Sequence, residues 1–375
     1  MLNAVKTYFS QNLINLPGFR THRKIVVIES DDWGSIRMPS IEVYQLFKHK
    51  GMGVADSDYN RLDTLENNED MTLLLETLSR HTDAYGKPAV LTANMVVGNP
   101  DFVKIREAEF QTYFVEPVEQ TLSVYPQRDQ VLQLWQQGNK LGLFHPQFHG
   151  REHVNVVRWM EALRKKTPEI MFTFQHRTTF SGNGDYNFME VLDYNTPADM
   201  KLMKQGLREG LDMFEELFGF RSKSFIPPCY TWDSHVEEEL ALGGVKYIQG
   251  LVVQSVPTGT FENYKRKYHY MGSRNRHGQS YLTRNCFFEP ALNKISDPVG
   301  ECLRRINIAF KWNKPAIIGS HRINYIGALD PKNRAGNLKL LNALLKKITQ
   351  KWPDVEFMTS DKLGDFMNGV LGDES

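Results

Sequence analysis

Short, nearly continuous apolar runs alternate with longer stretches in which apolar residues recur every three to four positions. The short runs, at 24–30, 89–93, 141–144, 170–174, 224–226, 245–248, 316–319 and 355–358, predict strands. The helical period marks 71–81, 129–137, 154–164, 198–218, 234–242, 299–310, 336–349 and 362–367. Repeated βα units of this kind predict an α/β fold built on a parallel sheet or barrel. Two stretches break the alternation: a polar one near 51–68, and one near 257–290 rich in Tyr, Arg, Asn and Gly. Both are expected to be insertions, with 257–290 a long loop or hairpin. The predicted organisation is a helical extension over 1–20 followed by one barrel domain over 21–375.

In such barrels chemistry gathers on the loops that follow the strands. Here Asp31, Asp32, Asn94, His145, Gln175, His176, Gln249, His321 and Asp361 each come directly after a predicted strand. Burial explains the apolar runs, but not the polar residue that follows each one.

At 375 residues the chain can bury a large core. Its 45 Lys and Arg against 44 Asp and Glu leave no broad cationic field, which argues against a nucleic-acid partner. Cys229, Cys286 and Cys302 are odd in number and widely spaced, as expected in a reducing compartment. No run approaches the roughly 20 apolar residues of an integral membrane segment, and the first residues do not resemble a signal peptide. A cytoplasmic protein is therefore expected.

The run at 24–30 ends in Asp31-Asp32-Trp33-Gly34, and the run at 141–144 in His145-Pro146-Gln147-Phe148-His149. Two imidazoles and a carboxylate suit a divalent transition metal with open coordination positions. Adjacent carboxylates repel, and a cation offsets that repulsion. Successive residues of an extended chain face opposite ways, so one aspartate would ligate while the other remains for proton transfer. The alternative is that one of them caps a turn. His145 and His149 would be neighbours on a helical turn, which Pro146 tolerates at its start. His153 continues the spacing, but Gly150 interrupts the helix it would need, so His153 is left out of the ligand set. His321 titrates near neutral pH and suits either a proton donor or a hydrogen-bonded structural role. The donors Arg274, Asn275, Arg276, His277, Arg284 and Asn285 suit either an acidic sugar or a solvated loop face.

On these residues the chain resembles the polysaccharide deacetylases of carbohydrate esterase family 4, which share a distorted (β/α)7 barrel. Their Asp-Asp motif is matched by Glu29-Ser30-Asp31-Asp32-Trp33-Gly34, and their His-x-x-x-His motif by the approach from Gly138 to His145 and His149. A diproline loop is matched by Phe225-Ile226-Pro227-Pro228-Cys229-Tyr230, and a C-terminal histidine by Ile317-Ile318-Gly319-Ser320-His321. The resemblance implies a metal-dependent carbohydrate deacetylase acting on N- or O-acetyl groups of a saccharide. It implies Asp32, His145 and His149 as metal ligands, Asp31 as general base and His321 as general acid. The Cys229 backbone N–H would bind the oxyanion. The metal would be Zn2+, with Co2+ or Ni2+ suited to the same ligands.

Two departures stand out. Ile226 occupies the place where the family has an arginine that contacts the base. The aspartate-tryptophan motif that supports the acid histidine has no clear match, with Asp297 and Glu289 as candidate substitutes. These departures leave two other readings: a catalytically inactive carbohydrate-binding protein, or a glycoside hydrolase on the related barrel, suggested by the paired carboxylates.

Overall fold

The first apolar run extends as strand β1 (Lys24–Trp33), in which side chains alternate between two environments. Val26 and Ile28 pack outward with Leu341 and Leu345 of the helix Pro331–Lys351 in the main core. Ile25 and Val27 face the other way, into a smaller cluster with Leu282, Ile317 and Leu363. The same alternation puts Glu29 and Asp31 on the inner face, above that apolar floor.

The computed structural model describes residues 9–183, 186–292 and 295–370. After β1 come β2 (Leu91–Val96), β3 (Gly98–Pro100), β4 (Val115–Pro117), β5 (Phe144–Gly150), β6 (Ser224–Phe225) and β7 (Tyr247–Gly250). Then follow β8 (Val253–Pro257), β9 (Tyr264–Tyr268), β10 (Ser280–Thr283), β11 (Cys286–Phe287), β12 (Ala316–His321) and β13 (Val355–Met358). Nine of these form one parallel sheet in the order β10-β7-β6-β5-β2-β1-β12-β11, with β13 also on β1. The end strands β10 and β11 are consecutive in the chain, separated only by Arg284 and Asn285. The chain therefore carries the curled sheet round on itself, and the α/β class with a distorted, barrel-like sheet is borne out. The antiparallel pairs β3–β4 and β8–β9 stand apart from it.

Several helices form where the sequence predicts them, for local reasons. The helix Pro197–Phe218 starts with a capping box between Thr196 and Asp199 and has Pro197 in its first turn. It stops at Gly219, whose φ of 76° suits glycine. Ser234–Leu242 begins at Asp233, whose carboxylate accepts from the first turn's N–H groups.

Three expectations are corrected. The run 170–174 lies within the helix Pro168–Gln175, because a short all-apolar run carries no period to separate strand from helix. The segment 257–290 is not a single insertion: it completes the β8–β9 hairpin and then supplies β10 and β11. Strands of four and two residues are too short to show through their polar flanks. Finally, Leu141 and Gly142 end a helix, and the strand begins only at Phe144, so His145 and His149 lie on a strand.

The excursion near 51–68 contains the short helices Val54–Asp56 and Asp58–Leu62. The first eight residues of the expected 1–20 extension lie outside the described residues. Residues 9–13 are helical, and Asn12 accepts from the Trp312 indole at 2.9 Å. Among the described residues no helix is long and apolar enough to cross a membrane.

Candidate metal centre and active site

Asp31 and Asp32 meet the cavity together because β1 is irregular at its end. Its pairing with β2 shifts register between Ser30 and Trp33, and Asp32 has a φ of 76°. A left-handed conformation at a non-glycine residue costs on the order of 1–3 kcal/mol, strain of a kind that clusters at functional sites. Both carboxylates thus line one cavity of about 370 Å3 at the C-terminal end of the sheet, with His149, His153, Cys229 and His321.

Asp32 Oδ1 lies 3.3 Å from His149 Nε2 and 3.2 Å from His153 Nε2. One ligand atom from each of the three residues falls within 4.8 Å of the others. His149 Nδ1–H donates to the Ile226 carbonyl at 2.7 Å, a bond that assigns the tautomer and leaves Nε2 free to ligate. His153 turns Nε2 to Asp32, while its Nδ1 is buried without a hydrogen-bond partner. Burial pushes His153 down to about 3 despite the opposing Asp32 charge, so the imidazole is neutral, as ligation requires. Burial raises Asp32, but the two facing imidazole edges and the Arg37 charge outweigh it and hold the carboxyl well below the usual range. Two imidazole nitrogens and an ionised carboxylate fit a divalent transition metal.

His145 does not join this group. Strand β5 rises about 3.3 Å per residue, which separates His145 from His149 by about 13 Å. At the opposite end of the strand His145 meets Asn139 at 3.0 Å and Asp361 at 3.3 Å and stacks on Phe220. His153 takes the place expected of His145. The chain leaves β5 at Gly150, with φ 148°, and Arg151 fixes the turn by pairing with Glu152 and Glu209. A second His-x-x-x-His frame, from His149 to His153, was available in the sequence. The helical requirement placed on the spacing obscured it, because a strand end followed by a turn also brings these positions together.

Asp31 is held by different partners. Arg284 donates to both its oxygens, at 2.7 and 2.8 Å, and Asn94 donates at 2.7 Å. Burial raises Asp31, but the Arg284 charge and hydrogen bonds bring it below the ordinary carboxylate value. Arg284 also donates to Glu29 at 2.6 Å. The arginine absent at Ile226 is thus supplied from the segment that joins the sheet's end strands. Arg284 was expected either to meet an acidic sugar or to lie on a solvated loop face, but its side chain is 1% exposed and committed to these carboxylates. Arg274 bonds Asn368 and Arg276 lies beside His277; neither lines the cavity.

His321 ends β12, with Nε2 3.6 Å from Asp31 Oδ2. Its Nδ1–H donates to Glu289 at 2.6 Å, and the other Glu289 oxygen accepts from Asn324. Burial lowers His321, but Glu289, with help from Asp31 and Asp32, overcomes it and pushes the imidazole up to about 9. Glu289 therefore supports the histidine, whereas Asp297 caps the helix Pro298–Lys311. Cys229 sits on the cavity wall with φ 53°. The arrangement sets an ionised carboxylate and a protonated imidazole side by side, next to a three-ligand cluster.

No family model and no curated protein matches the chain. Among solved structures it is similar to a putative polysaccharide deacetylase from Mycobacterium smegmatis, at 10% identity and TM-score 0.44 over 94% of this chain and 93% of that one. A probable polysaccharide deacetylase from Pseudomonas aeruginosa PAO1 gives 9% identity and TM-score 0.45 over 95% and 93%. A 4-alpha-glucanotransferase from Thermococcus litoralis also gives 9% and 0.45, but this chain, with 91% of its residues, covers only 40% of that protein. At such identities and TM-scores these likenesses carry no argument about chemistry, which rests on the side chains described above.

Proposed function

We propose that the chain is a metal-dependent carbohydrate deacetylase that removes an N- or O-acetyl group from a saccharide. One observation carries the reading: Asp32, His149 and His153 converge beside Asp31 and His321 in a single cavity. Asp32, His149 and His153 would hold the ion, with zinc the first choice and cobalt or nickel suited to the same donors. When bound, the ion supplies Lewis acidity to the acetyl carbonyl and to the attacking water.

The protein's own groups do the rest. Asp31, kept ionised by Arg284, accepts the proton of the attacking water. His321 enters protonated at neutral pH and gives its Nε2 proton to the departing nitrogen or oxygen. Glu289 then holds the neutral ring by Nδ1–H. The Cys229 backbone N–H is the candidate donor to the oxyanion. Arg284 and Glu289 supply support for base and acid, which weakens the reading as a silent carbohydrate binder. The glycosidase reading is weakened as well, since Asp31 and Asp32 sit on neighbouring positions with separate partners rather than on either side of a bond.

The test is product analysis on metal-replete protein with a panel of acetylated saccharides. Free acetate without new reducing ends is expected. New reducing ends without acetate would overturn the proposal.

A further inference from the structure

Arg37 lies five residues beyond Asp32 and is the only Lys or Arg among the described residues lining the cavity. Its guanidinium is incompletely satisfied. Nη2 reaches Asp32 Oδ2 at 3.4 Å, and Nη1 meets only the weak acceptor Met189 Sδ at 3.0 Å. Nε is buried without a hydrogen bond, although Asp63 Oδ2 lies 3.4 Å away. The Asp63 charge is already engaged by Arg322, which donates to Oδ1 at 3.0 and 3.1 Å.

The contrast with the neighbouring arginines is informative. Arg284 and Arg322 are 1% and 0% exposed and place every guanidinium nitrogen on a protein acceptor. Arg37 keeps 19% of its side chain exposed and holds donors in reserve. The Tyr59 ring, 5.5 Å away, backs its guanidinium. Around it the cavity wall offers neutral polar groups, Ser57, Asn60, Thr178 and Asn187, of the kind that meets sugar hydroxyls. A fork of N–H groups with spare capacity is suited to a planar or tetrahedral anionic group.

We infer that Arg37 binds an anionic oxygen group, carboxylate or phosphate, carried by the saccharide. The inference rests on the deacetylase reading for the rest of the substrate, but it can be tested without turnover. Glucuronate, glucose 6-phosphate and glucose are titrated calorimetrically into wild-type protein and into Arg37→Met, Arg37→Gln and Arg37→Lys, each with and without added zinc. A charge-assisted hydrogen bond predicts that wild type binds at least one charged sugar about tenfold or more tightly than glucose. Whichever charged sugar is preferred identifies the anion.

Arg37→Met and Arg37→Gln should erase the preference while retaining affinity for glucose, and Arg37→Lys should keep part of it. Bound zinc and the thermal transition, measured on every variant, show whether any has lost the site itself; Arg37→Gln is the fallback if Arg37→Met does not fold. Equal affinities for charged and neutral sugars in wild type would overturn the proposal. So would a preference that survives Arg37→Met, or a loss of affinity for all three sugars alike, which marks a role confined to steadying Asp32. A failed acetate assay would remove the deacetylase reading and leave this comparison standing.

Discussion

Asp31 and Asp32 are adjacent in sequence yet held by different partners, which supports the division of work proposed for them. Asp31 is pinned by Arg284 and Asn94 and faces His321, whereas Asp32 faces two imidazoles. Asp31→Asn should leave metal content intact and lower acetate release by about 10²–10⁴, the range for general acid–base catalysis. Elemental analysis beside steady-state kinetics checks both parts. The expected pH profile follows from His321, which must be protonated to serve as the proposed proton donor. With its value raised to about 9, activity should fall as pH rises through that point. Glu289→Gln removes the main cause of the elevation, so the alkaline limb should move to lower pH; an unmoved limb would show that Glu289 does not set it. The raised value also links to folding: the stabilisation it brings is complete below the ordinary histidine value of 6.5 and lost as pH passes about 9.

At the scale of elements, the strands that position the site were legible where a hydrophobic run ended in polar residues, as at Asp31-Asp32 and His321. The frame of β5 was not. The apolar Leu141 and Leu143 suggested a strand that ends at Phe144, yet the strand starts there and carries His145, Gln147 and His149 on its inner face. A polar strand interior does not look like a strand when apolar runs are the signal. The same limit hid β10 and β11, and with them Arg284, whose value to the site depends on where the sheet closes. Because Arg284 alone faces both Glu29 and Asp31, Arg284→Met leaves Glu29 without an ion pair and Asp31 with His321 alone. Breaking a buried ion pair in this way costs about 3–5 kcal/mol, which denaturant titration at neutral pH should report. A loss within error of zero would mean that Arg284 is dispensable to the fold.

For the molecule as a whole, the alternation of short and long periods was enough to give a parallel, curled sheet, because that alternation reflects burial on both faces of the strands. Placing the site at the C-terminal end of that sheet also followed. Metal binding should stabilise the native state, since the three ligands come together only in the fold. Saturation at about 100 times the dissociation constant adds about 2.7 kcal/mol, so chelation should lower the thermal transition. His153, in place of His145, is the proposed third ligand. This assignment is tested most directly by the zinc content of purified wild type, His145→Ala, His149→Ala and His153→Ala after equal loading and dialysis. About one ion per chain should remain in wild type and His145→Ala, and the ion should be lost from His149→Ala and His153→Ala. Retention by His153→Ala together with loss from His145→Ala would contradict the account.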